Sequence, residues 1–215
     1  MNKFLSKLSR EKSFDYKSYW EDRYSNGGNS GSGSYGILAT YKANFLNTFV
    51  QNRNIKSVIE FGCGDGNQLN LAKYPEYLGL DISQTAIETC MNKFKNDKTK
   101  SFMIYDPICF LNRGFFKADL TICLDVLYHI IPNEDFRKTL DDIFSCSRDY
   151  AILYTSLHKA NASKHILHRE MLPILNNLKD FSIEDVFDQN QKELTSAQFV
   201  ILRRKHLIDL DDCQI

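Results

Sequence analysis

The stretch Val58-Ile59-Glu60-Phe61-Gly62-Cys63-Gly64-Asp65-Gly66 constrains this chain more than any other. A short apolar, β-leaning run ends in glycines at alternate positions, and residues 67–73 behind it read as helical. Strand, glycine turn and helix in that order open a parallel βαβ unit. In such a sheet the crevice beyond the carboxyl ends of the strands takes the ligand. Glycines there reach positive φ and bring backbone N–H groups close to it. A dinucleotide fingerprint G-x-G-x-x-G would need glycine at position 67, where Asn67 stands, and the chain holds no G-x-x-x-x-G-K-[ST] phosphate loop.

The remaining sequence keeps alternating. Ile37, Leu38, Tyr41, Phe45, Leu46 and Phe49 recur at helical spacing before the glycine turn. Strands are predicted at 56–61, 77–81, 101–105, 118–124 and 150–155. Helices are predicted at 84–94, with Ser83 as N-cap, at 132–146, and at 165–178 with Pro173 as a kink. Two last strands, 181–186 and 197–203, are separated only by polar residues and should pair antiparallel. The pattern predicts an α/β fold, a mostly parallel sheet with helices on both faces. We expect one domain over 37–215, preceded by an arm or lid of the same domain, 1–36.

Among 215 residues, 27 basic balance 27 acidic side chains, which argues against a broad grip on nucleic acid or anionic lipid. No run approaches the apolar length of a membrane span, and MNKFLSKLSREKSF lacks the apolar centre of a secretory signal. A cytoplasmic location follows as the expectation. The six cysteines (63, 90, 109, 123, 146 and 213) show no C-x-x-C spacing, so they read as reduced, mostly buried thiols without a metal site.

Two further carboxylates end predicted strands. Asp81 closes YLGLD, where it could accept from both hydroxyls of a ribose, and Asp106 follows the next strand, where it could accept from an exocyclic amine such as adenine N6. Glycine turn and carboxylates together describe an adenosine site. VIEFGCGDG, YLGLDIS, IYDP and ADLTICLDVLYHI resemble the successive motifs of class I S-adenosylmethionine-dependent methyltransferases over residues 56–156. That resemblance implies a Rossmann-like seven-stranded sheet whose last strand is antiparallel, and S-adenosylmethionine as cofactor. It implies that Glu60 and the backbone of Gly62, Cys63, Gly64 and Gly66 orient the methionine part. It also implies that Asp81 holds the ribose, that Ile82, Tyr105 and Asp106 surround the adenine, and that Leu124 and Asp125 approach the sulfonium.

Ahead of the core, Trp20, Arg23 and Tyr24 precede the glycine-rich tract NGGNSGSGSYG. As a lid they would offer aromatic faces to the sulfonium and a guanidinium to the methionine carboxylate, with the glycines as hinges. This block and GNQL also resemble a subgroup of small bacterial methyltransferases found among surface-polysaccharide genes. On the acceptor side, Tyr128 and His129 follow the strand 118–124, with His129 as the expected base. His165, His168 and Arg169, on one predicted helix, could hold an anion. LDVLYHI stands where adenine-, cytosine- and glutamine-N-methylating enzymes carry NPPY- or DPPY-like sequences, so DNA is not the expected acceptor. We therefore expect O-methylation of a small or sugar-linked, anionic acceptor by a monomer or homodimer. The alternatives are an RNA or protein methyltransferase, or a catalytically silent cofactor-binding subunit.

Overall fold

The computed structural model describes residues 14–160, 163–188 and 193–205. The segment 1–13, His206 and Cys213 lie outside them. The elements run α1 (Tyr16–Ser25), α2 (Gly36–Asn52), β1 (Ser57–Phe61), β2 (Glu76–Asp81), α3 (Gln84–Lys93), β3 (Lys100–Ile104), β4 (Ala118–Leu124), α4 (Asn133–Cys146), β5 (Ser147–Ser156), α5 (Met171–Asn176), β6 (Phe181–Phe187) and β7 (Ala197–Arg204). They build a seven-stranded sheet in the order β3-β2-β1-β4-β5-β7-β6. Strands β1 to β5 pair in parallel. β7 inserts between β5 and β6, antiparallel to both, which is the hairpin expected from the sequence. The order reverses between β1 and β4, and a crevice opens there at their carboxyl ends.

The two-residue period of the strands divides their side chains between two cores. Val58, Leu120, Ile122 and Leu124 pack with Leu46 and Phe49 of α2. Ile59, Phe61 and Cys123 pack with Phe136, Leu140 and Ile143 of α4 on the opposite face. Each such burial stabilises by roughly 1.5–3 kcal/mol. The same period sends Glu60 toward the α2 side. Ser83 caps α3 as its sequence predicts, its hydroxyl accepting from the Ala86 N–H at 3.1 Å.

Several expectations need correction. Residues 67–73 form only a 3-10 turn at Leu69–Leu71. Asn47 of α2 claims the backbone there, donating to the Leu71 carbonyl at 2.9 Å and accepting from the Lys73 N–H at 2.7 Å. Ile37 is exposed, so the buried stripe of α2 begins at Leu38. The helix expected over 165–178 is confined to Met171–Asn176. Upstream, Ser163 pairs with Ile166 in a local bridge and the Leu167 N–H donates to the Tyr128 carbonyl at 2.7 Å, so a bridge and a tertiary bond replace helical ones. Pro173 is no kink: it occupies the first turn of α5, where a missing N–H costs nothing. Cys63, Cys90, Cys123 and Cys146 are buried free thiols, but Cys109 is exposed. No helix among the described residues is long and apolar enough to cross a membrane.

Candidate active site

The glycine turn lies at the switch point. Gly62 (φ 85°) and Gly64 (φ 56°) adopt the left-handed region. A Cβ on Gly62 would stand 2.2 Å from Val126 Cγ2, and one on Gly64 2.3 Å from Ser30 Oγ. The Gly64 N–H donates to Asp81 Oδ2 at 2.8 Å, and the Ser83 N–H to Oδ1 at 2.9 Å. Burial pushes the Asp81 carboxyl up to about 6, against the pull of these N–H groups. Asp81 lines a narrow cleft together with Gly62, Gly64, Ile82, Tyr105, Leu124 and Asp125. The Tyr105 hydroxyl is spent on Asp142 Oδ2 at 2.9 Å, so the ring is what it offers the cleft.

Other expected cofactor residues lie elsewhere. Glu60 does not line the cleft: it faces the α2 core and accepts from the Tyr77 hydroxyl at 2.6 Å. Burial pushes its carboxyl up to about 7. Cys63 is buried behind the turn, and Gly66 packs against Cys90 and Phe94. Asp106 lies outside the cleft and accepts from Lys17 Nζ at 2.7 Å and from the Ile108 N–H at 2.9 Å.

Across the cleft, the turn after β4 carries Asp125, Tyr128 and His129. Asp125 has φ 59°, a strained value for a non-glycine residue. It accepts from Lys42 Nζ at 2.5 Å and from the Tyr128 hydroxyl at 2.8 Å. His129 lines the cleft, with its ring edge-on to Trp20 at 5.1 Å between centroids. Its Nδ1 lies 3.0 Å from the His165 carbonyl. A carbonyl can only accept, so Nδ1 holds the proton and Nε2 keeps its lone pair. Burial lowers the pKa of His129 from its ordinary value, although the bond to His165 opposes this.

His165, His168 and Arg169 do not converge. The His165 ring stacks on Tyr19 at 5.5 Å, whereas His168 lies beside Tyr128 at 5.4 Å. Arg169 donates to the Ile131 carbonyl at 2.8 Å and to Asn133 Oδ1, with its guanidinium 4.1 Å over the Phe136 ring. His168 Nδ1 and Arg169 Nη1 are buried without a hydrogen-bond partner among the described residues. Without the expected helix there is no shared face, and the imagined anion fork is instead a stack and a strut.

The arm closes over this crevice. α1 places Trp20 and Tyr24 in the cleft wall. Glu21 fastens it to the start of α3, accepting from the Ser83 hydroxyl at 2.6 Å and the Thr85 hydroxyl at 2.5 Å. Arg23 is absent from the wall; its Nε donates to the Asn29 carbonyl at 2.5 Å, so it shapes the glycine tract. Asp65 pins that tract by accepting from the Ser30 N–H at 2.9 Å and the Tyr35 hydroxyl at 2.8 Å. Sequence reasoning passed over Asp65, Ser30, Lys42 and Thr139, the last of which lines the cleft. Only Lys42 left a signal, a lysine four residues from Leu38 and from Leu46 on the apolar stripe.

Such a crevice, glycine-floored at the switch of a doubly wound sheet with a strand-end carboxylate beside it, defines a nucleoside-binding α/β protein. A family model described as a methyltransferase domain matches residues 36–192, and the chain belongs to that family. No curated protein matches it by sequence. Among solved structures it is similar to the magnesium protoporphyrin IX methyltransferase of Synechocystis with bound SAH, with TM-score 0.66 and 18% identity over 88% of this chain and 98% of that one. It is also similar to the N-methyltransferase NodS of Bradyrhizobium japonicum in complex with S-adenosyl-L-homocysteine, with TM-score 0.68 and 14% identity over 90% of this chain and 100% of that one. At these identities the likeness establishes the Rossmann-like fold.

Proposed function

We propose that this methyltransferase binds S-adenosylmethionine in the cleft and methylates a hydroxyl of a small or sugar-linked acceptor. The observation that carries the reading is Asp81. Both its oxygens are fixed by backbone N–H groups of the turns beside it, and each keeps a lone pair for a ribose hydroxyl. The residues fit the rest of the cofactor too. Gly62 and Gly64 line the cleft, where a side chain at either would collide with Val126 or Ser30, so the turn meets the methionine part with backbone. Asp81 and Asp125 line the cleft and, among the described residues, no lysine or arginine does, which suits a cationic ligand. Trp20 and Tyr24 add ring faces that attract a sulfonium.

When bound, the cofactor supplies a methyl group that is already electrophilic. The protein must then align the attacking atom and exclude water. α1 covers the crevice, and His129, neutral at physiological pH with its lone pair on Nε2, accepts the hydroxyl proton. Among the described residues the cleft wall carries no lysine or arginine, which favours an acceptor that is uncharged at its reacting end over the anionic one expected from the histidine cluster. Trp20 and Tyr24 line the cleft, and aromatic faces suit the apolar face of a sugar, which supports the sugar-linked reading. The surface-polysaccharide setting rests on the arm and GNQL motifs alone.

The test is calorimetry with S-adenosylmethionine, followed by transfer of tritiated methyl to matched neutral sugars and sugar nucleotides. We expect micromolar cofactor binding and labelling of neutral hydroxyl acceptors. Absence of binding overturns the cofactor assignment. Labelling confined to anionic acceptors overturns the acceptor class.

A further inference from the structure

Lys42 has no exposed surface, although it carries a charge on the buried stripe of α2. Its Nζ lies 2.5 Å from Asp125 Oδ2 and 5.3 Å from the centroid of the Tyr154 ring. Its field also reaches Glu60, whose carboxyl it helps to hold down against burial. Withdrawing a lysine from water costs several kcal/mol unless a close counter-charge offsets it. Asp125 is that counter-charge. It is held at φ 59°, a conformation a non-glycine residue keeps only where its surroundings impose it. Gly33 of the arm closes over the pair: a Cβ there would stand 2.8 Å from Asp125 Oδ2. The Tyr128 hydroxyl occupies Oδ1. Asp125 lines the cleft and Lys42 does not, so a ligand meets a carboxylate with an ammonium directly behind it.

Resting on the cofactor reading above, we propose that Lys42 and Asp125 form a charge-setting pair. Lys42 is thereby a specificity residue that fixes how strongly the site prefers a sulfonium to a thioether. S-adenosylmethionine and S-adenosylhomocysteine differ by one methyl group and one positive charge at sulfur. A bare carboxylate after β4 would discriminate between them by its full charge. Paired with an ammonium, it presents a dipole, and the preference is tempered. The size of that preference governs how readily the spent, neutral cofactor yields its place to the cation.

The experiment measures both affinities by calorimetry for the wild type, Lys42→Gln, Asp125→Asn and the double variant. The readout is the ratio of the two affinities, which a loosened fold would move little because it weakens both ligands. Lys42→Gln keeps a donor for Asp125 and removes the charge; the preference for S-adenosylmethionine should rise about tenfold. Asp125→Asn should lower it by about the same factor. The double variant should return to within about threefold of the wild type, because the two opposed charges leave together. Should either single variant fail to fold, the other read against the double variant still tests the sign. Ratios that are equal in the variants and the wild type, or that move in the same direction in both single variants, overturn the proposal. If the wild type binds neither ligand, the cofactor reading fails instead, and the two failures are distinct.

Discussion

The two sides of the crevice are built differently. On the β1–β3 side the floor of the crevice is largely backbone: glycines at positive φ, N–H groups two or three residues beyond a strand, and a carboxylate at a strand end, with the arm fastened over it. On the β4–β5 side the functional side chains are held by groups brought from far apart. Lys42 comes to Asp125 across 83 residues of sequence, and the His165 carbonyl to His129 across 36. The first side reads as a holder for one fixed molecule. The second can be rebuilt by exchanging a loop, which is where an acceptor preference belongs.

The ribose-holding carboxylate of the first side and the imidazole of the second should therefore fail in different parameters. His129→Ala should have the largest effect, lowering kcat by about 10²–10⁴-fold while cofactor affinity stays within about threefold. Because burial lowers the pKa of His129, wild-type turnover should rise with pH through a midpoint below 6.5 and then level off. Loss of that limb in a pH–rate profile of His129→Gln would tie it to this ring. Asp81→Ala should come next, weakening S-adenosylmethionine binding about a hundredfold in a folded protein, since charged hydrogen bonds contribute roughly 1.5–3 kcal/mol each. Calorimetry beside circular dichroism measures this; undiminished affinity would erase the difference between the sides.

The smallest effect concerns Glu60, which shares the β1–β3 side but faces the core. Glu60→Gln should leave cofactor affinity within about threefold, in contrast to Asp81→Ala. Its signature is stability. The folded carboxyl sits near 7 against an ordinary 4.5, so its contribution is fully present below about 4.5 and is lost as pH rises through about 7. Urea unfolding at pH 5 and pH 8 should show a decline in the wild type that the amide reduces by something on the order of 2 kcal/mol.

Glu60 also shows how a motif can be found while one of its side chains faces away from the cleft. The acidic residue before the glycine turn stands where the resemblance put it, but the pleat turns it toward Tyr77 and away from the cleft. Asp106 likewise sits at its strand end, with Lys17 against its Oδ1. The arm was anticipated as a lid. What the sequence did not show is that its glycine tract is tied down at Asp65, so a composition that suggested hinges is a pinned strap. The segment 165–170 went furthest astray, because its residues favour a helix in isolation and the Tyr128 carbonyl, the Ser163–Ile166 bridge and the Arg169 bonds to Ile131 and Asn133 hold it otherwise.

The alternation of strands and helices, the antiparallel hairpin, the glycine turn and the place of Asp81 at a strand end were all readable from the chain, because each follows from periods of two or 3.6 residues and from neighbours close in sequence, whereas the order of the strands was not. The burial of Lys42 against Asp125, the tautomer of His129 and the scattering of His165, His168 and Arg169 belong to the folded molecule alone. Each depends on which distant group arrives to satisfy a charge or a hydrogen bond removed from water, and no local pattern records that arrival.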